Sequence, residues 1–142
     1  MEFQKGEFII TTDKSRMDVD YIHQKLCTTY WAKNIPRETV QRCIEGAVSF
    51  GIFHGKQQVG FARMITDQAS FGYLADVFVD ENYRGKGLAR WLMEVIVSYP
   101  SFQGFRRIML GTRDAHGLYE KFGFKIYNEL DLSYKLFFLK KD

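Results

Sequence analysis

The chain has 142 residues, of which 46% are hydrophobic and 26% are charged, and its formal net charge is +3. This length and balance predict one globular domain over residues 1–142, large enough to bury a core without disulfides or metal. Nucleic-acid binding favours a clustered basic face, and a bilayer span needs roughly 20 apolar residues, so we expect neither nucleic acid nor a membrane as a partner.

The N-terminal third of the chain predicts one strand and two helices. It lacks the basic and apolar regions of a secretory signal, so we expect a cytoplasmic protein. Glu7 to Thr12 is short and β-branched, which is typical of a strand. Asp18 suits the N-cap of a first helix, and Pro36 suits the first turn of a second. Cys27 and Cys43 fall in these helices without the spacing of a zinc site, so we expect reduced thiols and no bound metal.

The middle of the chain predicts three strands. Ser49 to His54 and Gln58 to Thr66 flank a turn that contains Gly55, which is a hairpin signal. Phe71 to Val79 is largely apolar on both of its alternating faces, which is typical of a central strand covered on both sides. Asp76 is the exception within this strand, and a carboxylate at that position requires an explanation.

The remaining residues predict two helices and three strands. A strand, a helix and a strand around residues 71–111 indicate one parallel pair in an otherwise antiparallel sheet, which is a mixed α/β (α+β) fold. Ligands tend to bind where the pairing of such a sheet changes. The apolar last strand leaves a monomer and a homodimer both open. The elements are the helix Leu88 to Ser98, the strand Arg107 to Gly111, the helix Ala115 to Phe122, and the strands Phe124 to Tyr127 and Leu132 to Leu139.

Tyr83 to Ala89 forms a short basic loop between the central strand and the following helix. The free N–H groups of the first helical turn, together with the helix dipole, favour an anion at this point. Gly85 and Gly87 allow the backbone to approach a ligand closely, and Arg84 and Lys86 supply charge that suits phosphate. The chain contains neither a P-loop motif, GxxxxGKS/T, nor a dinucleotide motif, GxGxxG.

Arg84, Gly87 and Ala89 instead resemble the pyrophosphate loop of the GNAT superfamily of N-acetyltransferases, R/Q-x-x-G-x-G/A. The segment from Leu118 to Phe124 is similar to the late L-Y-x-x-x-G-F segment of that superfamily, and the two motifs lie at its expected separation. The order of elements also resembles the GNAT fold. Residues 114–124 and 74–79 look like the corresponding segments of a recurrent bacterial subgroup of the superfamily. For the loop alone, an ordinary glycine-bearing helix start is the alternative interpretation.

The resemblance implies a mainly antiparallel sheet with one splayed parallel strand pair and with helices on both faces. It implies acetyl-CoA as the cosubstrate, no metal, and a small-molecule or peptide amine as the acceptor. The thioester carbonyl and the pantetheine arm would lie against the backbone of Val77, Phe78 and Val79. The residues that would bind the pyrophosphate are Arg84, Gly85, Lys86, Gly87, Leu88 and Ala89.

Acetyl transfer requires a neutral amine and a protonated leaving thiol. An alkylamine has a pKa near ~10.4, so at pH 7 only about one molecule in a thousand is neutral, and a carboxylate such as Asp76 would serve as general base. Asp76 has a second interpretation, a hydrogen bond to a backbone N–H at a strand irregularity. The resemblance places Tyr119 near the CoA sulfur as general acid; the alternative is a core tyrosine beside Leu118 and Phe122.

Several residues near these positions have mainly structural interpretations. Asp114 stands near the place of an asparagine that contacts CoA in many superfamily members, and we expect it to cap the following helix instead, which leaves CoA contact by Asp114 or His116 open. Tyr30, Trp31 and Phe71 would either wall the acceptor pocket or pack helices on the sheet.

Three functions follow from these features. The first is an acetyl-CoA-dependent N-acetyltransferase that works by direct attack, since neither cysteine lies in the motif region. The second is a non-catalytic acyl-CoA-binding or sensing module. The third is a nucleotide-binding protein, which the two missing phosphate motifs disfavour.

Overall fold

A computed structural model describes residues 1–127 and 137–141 of the chain. These residues belong to two compact units, Met1–Gly111 and Thr112–Asp142. Among the described residues, the first unit holds a six-stranded sheet and three α-helices, and the second holds one short helix. The prediction of a single domain over residues 1–142 stays a prediction.

The sheet of the first unit has six strands, whose spatial order follows the order of the chain. The strands are β1 (Glu2–Lys5), β2 (Phe8–Thr11), β3 (Val48–His54), β4 (Gln57–Thr66), β5 (Phe71–Val79) and β6 (Arg107–Leu110). The helices are α1 (Val19–Cys27), α2 (Arg37–Gly46) and α3 (Leu88–Val97) in the first unit and α4 (His116–Glu120) in the second. Single 3-10 turns cover Lys14–Arg16, Glu81–Tyr83 and Pro100–Phe102.

One strand pair is parallel, and it ends early. All neighbours are antiparallel except β5 and β6, whose register runs from Phe71 opposite Arg107 to Leu74 opposite Leu110. This confirms the predicted parallel pair, with α3 as the crossover helix. Strand β5 continues to Val79, whereas among the described residues no strand pairs with it on the β6 side beyond Leu74.

Helices flank both faces of the sheet. On one face, Phe61 of β4 packs into a buried cluster with residues of α1 and α2 such as Ile22 and Val40. On the other face, the Phe50 ring lies 5.2 Å from that of Tyr99, which follows α3. Phe61 pairs with Gly51, the neighbour of Phe50, and neighbouring residues in a strand point to opposite faces, so the two rings lie on opposite sides of the sheet.

Local signals account for the starts of α1 and of the β3–β4 hairpin. Asp18 Oδ1 accepts a hydrogen bond from the Tyr21 N–H at 3.0 Å, which confirms Asp18 as the N-cap of α1. Pro36 stands at the N-cap of α2, one position before the first helical turn. Gly55 adopts a φ of +63° in the turn between β3 and β4, a conformation that glycine adopts without steric cost.

Several predicted elements differ from the structure. The predicted strand Glu7 to Thr12 is the second arm of a hairpin, and its partner β1 was missed because that edge strand is mostly polar. Phe124 to Tyr127 forms no strand. The predicted strand Leu132 to Leu139, with the dimer contact proposed for it, lies largely outside the described residues, and residues 137–139 are not in a strand. Strand β5 is incompletely covered, because Tyr73 is 36% exposed.

Candidate active site

A β-bulge in β5 sets the position of Asp76. Phe78 pairs with Phe61 and Ala75 pairs with Arg63, so both Asp76 and Val77 stand opposite the single residue Ala62. Asp76 adopts a φ of +56°, which is uncommon for any residue except glycine and which aspartate tolerates better than most. A bulge re-aims one side chain relative to its neighbours, and here it turns the carboxylate toward Arg63.

The Asp76 carboxylate is held by two side chains from distant segments. Its Oδ2 accepts a hydrogen bond from Arg63 Nε at 2.6 Å, and its Oδ1 accepts one from Trp31 Nε1 at 2.9 Å. Both members of the ion pair are mostly buried, with side-chain exposures of 16% for Arg63 and 8% for Asp76. We call Trp31, Arg63 and Asp76 the carboxylate cluster. Asp76 therefore does lie at a strand irregularity, but its partners are side chains and not a backbone N–H.

Arg63 is the residue that the sequence analysis missed. It is a charged residue on a buried central strand, flanked by Ala62 and Met64, each with 0% exposure. Asp76 shows the same anomaly with the opposite sign on the next strand. Two opposite charges on neighbouring covered strands are the signal from which an ion pair could have been predicted, because buried charges are normally paired.

Exposed apolar side chains surround the carboxylate cluster. Trp31 is 46% exposed and Tyr30 is 42% exposed, and their rings meet edge to face with centroids 5.0 Å apart. Ile65 and Tyr73 pair across β4 and β5 and are 41% and 36% exposed. Because Ile65 lies two residues from Arg63 along β4, it shares the sheet face of that arginine. Tyr30 and Trp31 thus leave much of their surface to solvent, beyond what packing on the sheet requires.

The basic loop, residues 83–89, joins β5 to α3 in the predicted strand, loop and helix order. Gly85 and Gly87 have φ values of +79° and +76°, and Gly87 is the N-cap of α3 without any side-chain cap. An ideal Cβ at either glycine meets no heavy atom within 4 Å, so their backbone conformation, rather than crowding, calls for glycine. The first-turn N–H groups of α3 are therefore available to a ligand.

Two cations of the basic loop add positive charge to this helix start. Arg84 and Lys86 are exposed, and neither forms an ion pair or a hydrogen bond with any residue in the described part of the chain. Unpaired basic side chains next to free helical N–H groups favour a phosphate or pyrophosphate.

Asp80 ties the start of this segment to α1. It is 6% exposed, its Oδ1 accepts from the Asn82 N–H at 3.0 Å, and its Oδ2 accepts from the Tyr21 hydroxyl at 3.1 Å. Lys25 Nζ lies 3.4 Å from Oδ2. Burial opposes ionisation of Asp80, but the Asn82, Tyr21 and Lys25 donors together lower its pKa. Burial and the hydrogen bond to Asp80 raise the pKa of Tyr21.

The part of β5 that no described strand pairs with on the β6 side lies between the carboxylate cluster and the basic loop along the chain. Val77, Phe78 and Val79 are half-buried and follow the end of the β5–β6 pairing. Within the first unit, the structure thus places Asp76, the unpaired strand edge and the basic loop in one continuous stretch. A strand edge without a partner offers its peptide groups to a ligand that can pair as another strand would.

The second unit holds Tyr119, Asp114 and His116. Tyr119 lies in α4 and is 9% exposed, and its ring is 6.0 Å from that of Phe124. The prediction that Asp114 caps this helix is wrong, because Ala115 is the N-cap and no side chain caps the helix. Gly123 adopts a left-handed conformation after α4, with a φ of +89°.

The described residues contain no group of three or more His, Cys, Asp or Glu side chains that could hold a metal ion. In the same residues, no helix has both the length and the apolar character needed to cross a membrane.

The comparison with protein families matches one family over most of the chain. The model of the acetyltransferase (GNAT) family matches residues 19–124, which include α1, the carboxylate cluster, the basic loop and α4. A candidate acetyltransferase of Gibberella zeae is 30% identical over an alignment of 151 positions, gaps included, and the alignment covers 89% of this chain and 84% of that protein.

Solved structures agree with this match. A candidate acetyltransferase of the GNAT family from Xanthomonas campestris pv. campestris is 43% identical, with a TM-score of 0.83, and the alignment covers 90% of this chain and 93% of that one. A candidate acetyltransferase from Clostridium acetobutylicum, solved with acetyl-CoA, shares the fold at a TM-score of 0.66 and 16% identity, covering 88% of this chain and 94% of that one.

Proposed function

Because the chain belongs to the acetyltransferase (GNAT) family, which transfers acyl groups from acetyl-CoA, we propose that it acetylates a primary amine by direct attack on the thioester. The observation that carries this proposal is the continuous stretch from Asp76 to Ala89. It combines a carboxylate, a strand edge that no described strand pairs with on the β6 side, and a helix start beside two cations that have no partner among the described residues. A general base, a thioester-binding strand and a pyrophosphate site are the three parts that the transfer requires.

The donor side of the proposal uses backbone groups. The pyrophosphate of CoA binds the first-turn N–H groups of α3, at Leu88 and Ala89, with Arg84 and Lys86 as counter-charges. The amides of the pantetheine arm pair with Val77 to Val79, and a backbone N–H there holds the thioester oxygen as it gains negative charge. The acetyl-CoA present in the Clostridium acetobutylicum structure supports the choice of donor.

The proton transfers use two side chains. Asp76 accepts one proton from the ammonium form of the acceptor, and the neutral amine nitrogen then attacks the thioester carbon. As the C–N bond forms, that nitrogen loses its second proton to water, which leaves a neutral amide. Although each Asp76 oxygen already accepts one hydrogen bond, a carboxylate oxygen has a second lone pair. As the C–N bond forms and the C–S bond breaks, Tyr119 protonates the leaving thiolate. The phenol has a pKa of ~10 and the conjugate acid of the thiolate one near ~8.5, so this proton transfer costs about 2 kcal/mol.

That cost is small beside the gain from protonating the leaving group. A proton moved from the weaker acid, the phenol, to the conjugate base of the stronger acid, the thiol, is uphill by about 1.5 pKa units. Tyr119 therefore acts while the C–S bond is breaking, when a proton on sulfur lowers the barrier, and the phenolate is reprotonated from water afterwards.

A covalent route through Cys27 is the main mechanistic alternative within the enzyme. Cys27 Sγ lies 3.2 Å from His23 Nε2, a pairing that could suggest an activated thiol. However, His23 Nε2 also lies 3.0 Å from the Ile35 carbonyl oxygen, which can only accept a hydrogen bond. Nε2 therefore carries a hydrogen and has no lone pair for the thiol proton, which supports direct attack.

The alternative function is a non-catalytic acyl-CoA-binding or sensing module. A thiol-release assay with acetyl-CoA over a broad panel of small-molecule and peptide amines separates the two. We expect amine-dependent release of CoA together with an N-acetylated product detected by mass spectrometry. Tight acetyl-CoA binding without turnover of any amine would establish the binding module instead.

A further inference from the structure

The guanidinium of Arg63 is only partly used by the protein. Its Nε donates to Asp76 Oδ2, and none of the described residues accepts a hydrogen bond from its two Nη groups. The side chain is 16% exposed, and no fully buried side-chain polar atom in the described part of the chain lacks a partner, so these Nη groups reach solvent. A largely desolvated guanidinium with its outer edge open is well suited to a carboxylate.

The surroundings of that guanidinium are apolar. Tyr30, Trp31, Ile65 and Tyr73 are all between 36% and 46% exposed, although each is a large apolar or aromatic side chain. Ile65 and Tyr73 share the sheet face of Arg63, and Trp31 is joined to the same ion pair through Asp76. Grouped exposure of this kind marks a ligand-binding surface more often than isolated exposed residues do.

We propose that the acceptor is an amino acid with a free carboxylate and an apolar side chain, and that Arg63 binds the carboxylate. This rests on the proposed function, because it names the acceptor of the same transfer. Arg63 and Asp76 present a positive and a negative charge side by side. An amino acid carries the complementary pair, so its carboxylate binds the Nη groups while its amine lies beside Asp76.

The same arrangement disfavours polycationic acceptors. A polyamine or a lysine-rich peptide would bring further ammonium groups to a site whose open edge is the guanidinium of Arg63. Repulsion between like charges in a partly desolvated site discriminates strongly between ligands. The apolar side chain of the acceptor instead gains contact with Trp31, which donates a hydrogen bond to Asp76, and with Tyr73, which shares the sheet face of Arg63.

The test uses matched acceptors that differ only at the carboxylate. The full chain is assayed with acetyl-CoA and L-phenylalanine, L-tryptophan, L-leucine or L-methionine, each beside its carboxamide. The amine of a carboxamide is less basic and therefore more often neutral at pH 7, so an enzyme without carboxylate recognition favours the amide. We expect kcat/KM to be at least about tenfold higher for the acid in one or more pairs, the fold-change of one good charge-assisted contact.

Substitution of Arg63 tests whether this residue causes the preference for the acid over the carboxamide. Arg63→Gln should bring the acid-to-amide ratio down to about one or below, and Arg63→Lys, which keeps the charge but loses the fork, should leave a reduced preference. Because the ratio compares two acceptors in one preparation, any loss of folded protein cancels. Arg16→Gln, which removes an exposed arginine paired with Glu2 on β1, is the matched control and should keep the wild-type ratio.

The outcomes separate this proposal from the proposed function. Amides acetylated as fast as or faster than all of the acids would overturn the amino-acid acceptor and leave N-acetylation standing. An acid preference that survives Arg63→Gln would remove Arg63 from the binding of the carboxylate. Acetyl-CoA binding with no turnover of any amine would overturn both. If Arg63→Gln does not fold, the acid-to-amide ratios of the wild type and of Arg63→Lys still decide whether Arg63 binds the carboxylate.

Discussion

The basic loop and the carboxylate cluster differ in how the chain builds them. Residues 83–89 are contiguous, and the loop works through backbone conformation, with Gly85 and Gly87 in the left-handed region and a helix start that no side chain caps. The carboxylate cluster joins Trp31, Arg63 and Asp76 from three distant segments, and it works through side chains that meet at a bulge.

This difference explains why the sequence alone indicated a donor but no acceptor. The basic loop, which we propose binds the constant pyrophosphate group of CoA, depends on a few backbone conformations within seven consecutive residues, so its signal is local in the sequence. Recognition of a variable acceptor depends on side chains brought together by tertiary structure. Such a set leaves no contiguous motif in the sequence, so only the folded chain displays it.

The largest expected effect is a loss of acetyl-CoA affinity after a double substitution in the basic loop. Arg84→Ala combined with Gly87→Asp removes a cation and places an anion at the N-terminus of α3, in a conformation that disfavours any side chain. Since each charge-assisted contact to phosphate contributes about 1.5–3 kcal/mol, we expect the Kd for acetyl-CoA to rise at least about 100-fold. Isothermal titration calorimetry measures this directly.

The matched control for that variant is Gly6→Asp. Gly6 has a similar φ of +59° and open space around its ideal Cβ, but it lies in the β1–β2 turn. The Gly6→Asp substitution introduces the same strain and charge away from the basic loop, so the Kd for acetyl-CoA should stay within about twofold of the wild-type value. An equal loss of affinity in both variants would show that the loop effect is one of general stability.

The sequence was sufficient where local patterns decide the structure. Asp18 as N-cap, strand β5 from Phe71 to Val79 and the parallel pair with β6 follow from capping chemistry and hydrophobic pattern. It failed for β1, because an edge strand needs little apolar surface to pair. It also failed for the start of α4, where no side chain caps the helix although Asp114 is available.

The carboxylate cluster could be anticipated only in part. Asp76 stood out as polar in an apolar strand, but its left-handed backbone and the bulge depend on pairing with β4. Its partner Arg63 could have been anticipated from the opposite charge on the neighbouring strand. Its partner Trp31 could not, because the segment between α1 and α2 has no regular pattern and only long-range contacts bring it to Asp76.

The second largest effect concerns Tyr119, in the segment from Leu118 to Phe124. Tyr119→Phe removes the proposed general acid, and we expect kcat to fall about 100-fold, the lower end of general acid–base contributions, with the Kd for acetyl-CoA unchanged. Tyr99→Phe, which removes a phenol from the ring cluster with Phe50 and Phe102, is the control and should keep wild-type kcat. Full kcat in Tyr119→Phe with a good acceptor would exclude the acid role.

Asp76→Asn should have a somewhat smaller effect that depends on pH. At pH 7 few amine molecules are neutral, so loss of the base should lower kcat/KM by about 30-fold. As pH approaches 9.5 the amine deprotonates without help, and the gap between wild type and variant should narrow. A ratio that stays constant across this range would make Asp76 a positioning residue only. Asp20→Asn, which breaks the exposed pair with Arg37, is the control.

The smallest effect tests how far the basic loop depends on distant contacts. Tyr21→Phe removes the hydroxyl that donates to Asp80 at 3.1 Å, at the start of the segment leading to the loop. A hydrogen bond to a charged group contributes about 1.5–3 kcal/mol when buried; Tyr21 is only partly buried, so we expect the free energy of unfolding to drop by about 1 kcal/mol at pH 7. Urea unfolding measures that loss.

The pH dependence of this loss identifies its cause. The pKa of Asp80 is lowered below its ordinary value of 3.8 in the folded chain, so its contribution is present above that value and is lost as pH falls through the folded-state pKa. The difference between wild type and Tyr21→Phe should therefore shrink as pH falls through the folded-state pKa of Asp80, which lies below 3.8. A difference that persists in acid would point to packing of the ring instead.

Because backbone conformation builds the basic loop, the Kd of Tyr21→Phe for acetyl-CoA should rise only about twofold. A rise near that of the loop variant would make the basic loop as dependent on tertiary contacts as the carboxylate cluster is.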